Sequence, residues 1–170
     1  MKQWLVPIPA ALLLSVTAQA QDRYGPTGGE NLLSISGSIT NFDVDGFSVL
    51  SISGQFGFGR FLTEEHEAGA TLSTSYLNPE QGDNAVTEGL SAYYNYNWRN
   101  EPRTWFYAGP HLGISFLDAG GEDDTNLAFG GHGGLRHWLS PRTAFFAEPR
   151  ITFSTDITIT EIIFGYTIAL

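Results

Sequence analysis

The last fourteen residues, Ile157 to Leu170, read ITITEIIFGYTIAL. Counting back from Leu170 by twos places Leu170, Ile168, Tyr166, Phe164 and Ile162 on one face, with Ala169, Thr167, Gly165, Ile163 and Glu161 on the other. One face is large and apolar; the other is mostly small or polar. A period of two excludes a helix, and a strand whose bulky face is this continuous needs either a core or hydrocarbon to lie against.

The same alternation recurs seven more times upstream. Strand one sets Leu33, Ile35, Gly37 and Ile39 against Ser34, Ser36, Ser38 and Thr40. Strand two sets Leu50, Ile52, Gly54, Phe56 and Phe58 against Ser51, Ser53, Gln55, Gly57 and Gly59. Strand three places Ala68, Ala70, Leu72, Thr74 and Tyr76 outward, and strand four places Leu90, Ala92, Tyr94, Tyr96 and Trp98 outward opposite Ser91, Tyr93, Asn95 and Asn97. Strand five, Trp105 to Phe116, carries Pro110, which removes a ladder donor. Strand six, about Leu127 to His137, is softened by four glycines, and strand seven turns Phe146, Glu148, Arg150 and Thr152 inward. Between them lie the turns at 60–66, 99–103 and 138–142 and the turn-rich stretches 41–46, 78–89, 118–126 and 154–156, so short turns are expected to alternate with mostly longer loops.

Eight such strands predict an all-β, antiparallel, up-and-down transmembrane barrel with its large side chains toward lipid. A soluble periplasmic ligand-binding barrel, with the apolar face inside, is the competing arrangement. Its outer face would then be the Ser, Thr, Gly, Ala and Asn set, which carries few of the Lys and Glu residues that a solvated sheet shows. Tyr94, Tyr96, Trp98, Phe106 and Tyr166 together also exceed what a small barrel interior holds.

The first twenty residues have a different character. Met1-Lys2 precede an apolar run from Leu5 to Val16, broken by Pro7, Pro9 and Ser15, and Ala18-Gln-Ala20 ends it. This is the pattern of a secretory signal peptide cut after Ala20, leaving residues 21–170 as one barrel domain. Gln21 to Asn31 reads as a Gly/Pro-rich lead-in without periodicity.

Charge and cysteine content narrow the chemistry. The chain has 8 basic and 18 acidic residues; without Lys2 the remainder has no lysine and a net charge of −11. No basic stripe is available for nucleic acid. With no cysteine there is neither a disulfide framework nor a thiolate metal site.

Three stretches, GFGRFLTEEHEAG (57–69), GLRHWLSPRTAFFAEPR (134–150) and GYTIAL (165–170), resemble the small Gram-negative outer-membrane β-barrel family that includes OmpX-like proteins and the OmpA transmembrane domain. The two internal stretches look like that family's strand, aromatic-Leu-Thr/Ser turn, strand unit. The resemblance implies that Gly165, Ile168 and Leu170 form the recognition signal for the barrel-assembly machinery; Leu170 departs from the family's usual terminal Phe, and Ile163 from a common polar residue. It also implies the cell outer membrane as location, outer-membrane lipid and lipopolysaccharide as surroundings, and periplasmic chaperones during biogenesis, with a monomer expected.

Several residues could carry more than structure. Arg136, Glu148, Arg150 and Glu161, with Glu67, share inward parity on strands three and six to eight, and predict a charged network in the lumen, with cross-strand ion pairs between successive strands. An eight-stranded interior is just wide enough to be filled by side chains, so a structural plug is the first reading and a narrow pore for ions or small solutes the second. His111 and His132 face inward on adjacent strands as polar packing, since two ligands do not make a zinc site. His66 and His137 fall at a turn and a strand end. Asp118, Glu122, Asp123 and Asp124 are oxygen ligands without the order of a calcium loop, and read as a solvated acidic loop. Small outer-membrane lipid A deacylases carry a His-x-Ser pair; here His132 is followed by Gly133 and Gly134, and His111 by Leu112 and Gly113, so a lipid A-modifying enzyme is not expected. The resulting expectation is a non-enzymatic barrel without cofactor, structural or surface-interacting, with a lumen largely filled by side chains.

Overall fold

Alternation with period two commits each segment to a strand, and a barrel is how eight strands satisfy every backbone group without water. The computed structural model of the chain describes residues 23–44, 47–79, 85–119, 122–154 and 158–170. The proposed signal peptide lies outside them. The strands are β1 (Asn31–Val44), β2 (Phe47–Phe61), β3 (His66–Pro79), β4 (Ala85–Arg99), β5 (Thr104–Ala119), β6 (Glu122–Trp138), β7 (Thr143–Phe153) and β8 (Thr158–Ala169). They form one closed barrel, each antiparallel to its sequence neighbour, with β8 pairing back to β1.

The strands run beyond the boundaries expected from alternation. β5 and β6 continue to Ala119 and from Glu122, with Asp118 opposite Asp123 and Leu117 opposite Asp124. Much of the acidic stretch is therefore ladder rather than loop, because backbone pairing propagates from a hairpin regardless of side-chain polarity. The expected contrast between short turns and long loops is accordingly weak. Four residues separate β2 from β3, β4 from β5 and β6 from β7, while two to five separate the strands at the opposite end. The end bearing residues 62–65, 100–103 and 139–142, together with the first and last described residues, is the turn side; the other is the loop side.

The outward assignment of faces holds. Ile35, Ile39, Leu72, Leu90, Leu112, Phe129, Ile162, Phe164 and Tyr166 are all exposed, forming an apolar belt. Near the turn side the belt becomes an aromatic girdle, with Tyr96, Trp98 and Phe106 stacked at centroid distances of 6.1 and 6.2 Å and Phe145 against Tyr166 at 5.7 Å. Amphipathic rings favour this level of a bilayer. Pro110 is accommodated at a local loss of pairing. The β4–β5 ladder skips from Tyr93↔His111 to Tyr96↔Ala108, and the β6–β7 ladder skips likewise beside Pro149.

Candidate functional site

The lumen is the site, and its contents change with height. At the turn side Trp105 and Trp138, both fully buried, meet at 5.4 Å, with Phe61 edge-on to Trp105 at 6.2 Å and Leu32, Ala144 and Ala169 around them. From the sequence, strand five starts at Trp105 and Trp138 falls in the turn 138–142, so their pairing as the lumen floor was not legible: β6 runs on to Trp138, and the floor depends on what lies beneath.

That layer is the lead-in, which is ordered against the barrel. Gly25 donates its N–H to the Pro141 carbonyl at 3.1 Å, Gly29 to Phe61 at 2.7 Å, and Phe61 donates back to Glu30 at 2.9 Å. Gly25 has φ of +85°, and a Cβ there would overlap the rings of Trp105 and Trp138. Only glycine combines that dihedral with that approach. Arg23 reaches Glu64 at 2.7 Å, and the Arg103 guanidinium lies 4.4 Å over the Tyr24 ring. The segment's lack of periodicity reflects a cap, not a strand.

Above the indoles lies a polar layer. Arg136 donates to both oxygens of Glu67, at 2.7 and 3.2 Å, and to Asn97 Oδ1 at 3.2 Å. Glu67 also accepts from Tyr93 Oη at 2.8 Å and from Asn95 Nδ2 at 3.4 Å. The Arg136 guanidinium sits 4.5 Å over the Tyr107 ring, and Tyr107 donates to Glu148 Oε2 at 2.9 Å. Glu148 in turn accepts from Arg150 Nε and Nη2 at 3.0 and 2.6 Å, while Arg150 Nη1 donates to Gln55 at 3.3 Å. Two ion pairs thus sit within one hydrogen-bonded layer.

This connectivity corrects the expected one. The Arg136 pair spans the lumen from β6 to β3, and the other pair lies within β7, whereas successive-strand pairing was expected. In so narrow a barrel a long side chain reaches a partner across the axis as readily as one along its own strand. Glu161 stands apart from both pairs. It lies opposite Arg150 in the β7–β8 register, but Arg150 is turned to Glu148, and Glu161 accepts instead from Ser38 Oγ at 3.0 Å.

His111 and His132 do come together, Nδ1 to Nδ1 at 3.4 Å, with His132 Nε2 against Asn95 Oδ1 at 2.6 Å and His111 Nε2 against Thr152 Oγ1 at 3.0 Å. Among the described residues no group of three or more His, Cys, Asp or Glu is placed to hold a metal ion. His66 contacts the Tyr94 hydroxyl and tilts against Tyr96, and His137 contacts Thr104 at 3.1 Å, both at the turn-side rim. Gly165 faces inward beside Phe146, and Ile168 and Leu170 face outward. Through the charged layer the lumen retains a cavity of about 40 Å³, lined in part by Gln55, Glu67, Tyr93, His132 and Arg136. Farther toward the loop side many inward positions are small, among them Ser53, Ser73, Gly89, Ser91 and Gly113, interspersed with larger ones such as Leu77, Leu117 and Thr152.

No protein-family model matches the chain, and no curated protein sequence matches it. Solved structures do resemble it. Neisserial surface protein A (NspA) has a TM-score of 0.65 at 14% identity, covering 85% of this chain and 99% of that one. Ail, the attachment invasion locus protein of Yersinia pestis, has a TM-score of 0.57 at 15% identity, covering 85% and 100%. The outer membrane protein OprG of Pseudomonas aeruginosa has a TM-score of 0.58 at 10% identity, covering 88% and 99%. By fold the chain is an eight-stranded transmembrane β-barrel, similar to these outer-membrane proteins and presenting the same kind of apolar belt.

Proposed function

We propose that the protein is a non-enzymatic, monomeric barrel of the Gram-negative outer membrane, closed to solute flow and working through its loop-side surface. The observation that carries this is the double closure of the lumen: the capped indole layer and, above it, ion-paired side chains that leave about 40 Å³. That is room for one or two waters, not for a hydrated solute.

Charge placement supports a surface role. Asp43, Asp45, Glu80, Asp83, Glu88, Asp118, Glu122, Asp123, Asp124 and Asp156 all fall at the loop-side strand ends or in the sequence joining them, and no arginine or lysine does. Such a rim would meet lipopolysaccharide phosphates through divalent cations and would attract cationic partners. NspA and Ail are named for the surface and for attachment, and Ail has been solved with the heparin analogue sucrose octasulfate. The acidic rim here favours partners of opposite charge to that ligand.

Planar-bilayer recording tests the closure. The expected result is a silent bilayer for the wild type and for Glu148→Ala or Arg150→Ala as well, because each removes part of one closure and leaves the Arg136–Glu67 pair and the capped indole layer in place. Well-resolved wild-type steps would instead establish the narrow pore. Trimming the sequence around Glu80–Glu88 or Asp118–Asn126 should remove divalent-dependent surface binding while leaving the barrel SDS-resistant when unboiled.

A further inference from the structure

The barrel wall has a gap. The β1–β8 ladder runs only from Leu32↔Ala169 to Gly37↔Phe164. Beyond it β1 continues to Val44, paired with β2, and β8 begins at Thr158, paired with β7, but the two are not paired with each other. Six tilted residues climb about 14 Å, against an apolar belt about 25 Å tall, so the unpaired edges open within the outer part of the belt. Open sheet edges do not face hydrocarbon unsatisfied.

What lines the opening is amphipathic. It is a cleft of about 950 Å³. On its lipid side stand Ile39, Ile52, Ile162 and Phe164, all exposed. On its lumen side the Ser53 and Ser38 hydroxyls are 2.7 Å apart, and Ser38 donates to the Glu161 carboxylate at 3.0 Å. Glu161 has no arginine partner among the described residues, since the ion pairs place Arg136 on Glu67 and Arg150 on Glu148. Apolar groups outside and a carboxylate without a cation inside define the chemistry of an occupant.

We propose that the β1–β8 cleft binds a cationic amphiphile from the outer leaflet, its chain against Ile39, Ile162 and Phe164 and its ammonium head on Glu161. Charge complementarity selects this occupant: a fatty acid or a lipid phosphate would bring a second negative charge to Glu161. The head also supplies donors to the strand edges that pairing leaves open.

The test uses the full barrel in phosphatidylcholine nanodiscs and two dansyl probes with the same undecyl chain, one ending in a primary ammonium and one in carboxylate, each corrected for empty nanodiscs. The ammonium probe should saturate at one per barrel and the carboxylate probe should not. Glu161→Gln should weaken the ammonium probe about tenfold, the loss expected for one charge-assisted contact. Thr160→Trp, which fills the outer wall without touching the carboxylate, should abolish binding. Both variants are scored only as barrels that keep their unboiled SDS resistance; should Glu161→Gln fail that criterion, Thr160→Trp and the probe pair decide. Equal binding of the two probes, or wild-type affinity in Glu161→Gln, overturns the proposal. So does efficient cross-linking of Ile39→Cys barrels to one another, which would mean that a second copy covers the edge. A conducting wild type would sink the closed-lumen reading and leave these outcomes unchanged.

Discussion

The turn-side and loop-side halves of this lumen are built from the same eight strands and solve opposite problems. Below, Trp105, Trp138, Phe61, Tyr107 and two ion pairs fill the cross-section, and residues 23–30 close it again from outside. Above, many inward positions are serine or glycine, and the β1–β8 seam comes apart. The outer face does not distinguish the halves, because lipid asks the same of both. The interior therefore carries the division of labour: one half is organised for closure, the other for access.

That division can be broken most severely at Glu67. Glu67→Ala leaves Arg136 buried without its carboxylate, and removing one member of a buried pair costs about 3–5 kcal/mol. Urea unfolding in lipid vesicles should record this loss. A stability within about 1 kcal/mol of wild type would mean that water already reaches the layer. Gly25→Val acts on the cap alone. It forces a β-branched residue into φ of +85° against two indoles, a local cost of about 1–3 kcal/mol. Acrylamide should then quench Trp105 and Trp138 more strongly while the barrel remains SDS-resistant. Ser73→Ala, on the loop side, removes only a 3.5 Å contact to the Gly89 carbonyl and should change stability by less than about 1 kcal/mol. A loss as large as that of Glu67→Ala would erase the contrast between the halves.

The faces of all eight strands were legible in the sequence because period two is a local signal and lipid enforces it at every position. Inward parity likewise placed Arg136, Glu148 and His132 in the lumen. Parity carries no information about partners across the axis, so the Arg136–Glu67 pair and the separation of Glu161 from both pairs emerged only from the closed barrel. Residues 23–30 were illegible for another reason: their order comes from Trp105, Trp138 and the Pro141 carbonyl, remote in sequence, and Gly25 looks like any loop glycine until those rings are placed beside it. The length of the β1–β8 ladder was likewise hidden, since alternation continues in both strands past the point where they part.

The mildest perturbation separates the two layers of turn-side closure. Glu64 lies in the turn between β2 and β3, where Arg23 approaches it at 2.7 Å and Arg99 at 3.4 Å. The hydrogen bond from Arg23 holds the Glu64 carboxyl below its ordinary value. A carboxyl depressed in the folded state stabilises above its unfolded value, about 4.3, and that contribution disappears as pH falls through the lower folded value. Acidification from pH 6 to below 4 should therefore loosen residues 23–30 and raise acrylamide quenching of Trp105 and Trp138, less so in high salt, which already screens this exposed pair at pH 6. Glu64→Gln should show the loosened response already at pH 6 and little change with pH. If the wild type is insensitive to pH, or Glu64→Gln keeps the wild-type profile, the cap is held by its backbone bonds to Pro141 and Phe61 instead. In either case SDS resistance should persist in Glu64→Gln at pH 6, because the ion pairs above the indoles do not involve this turn.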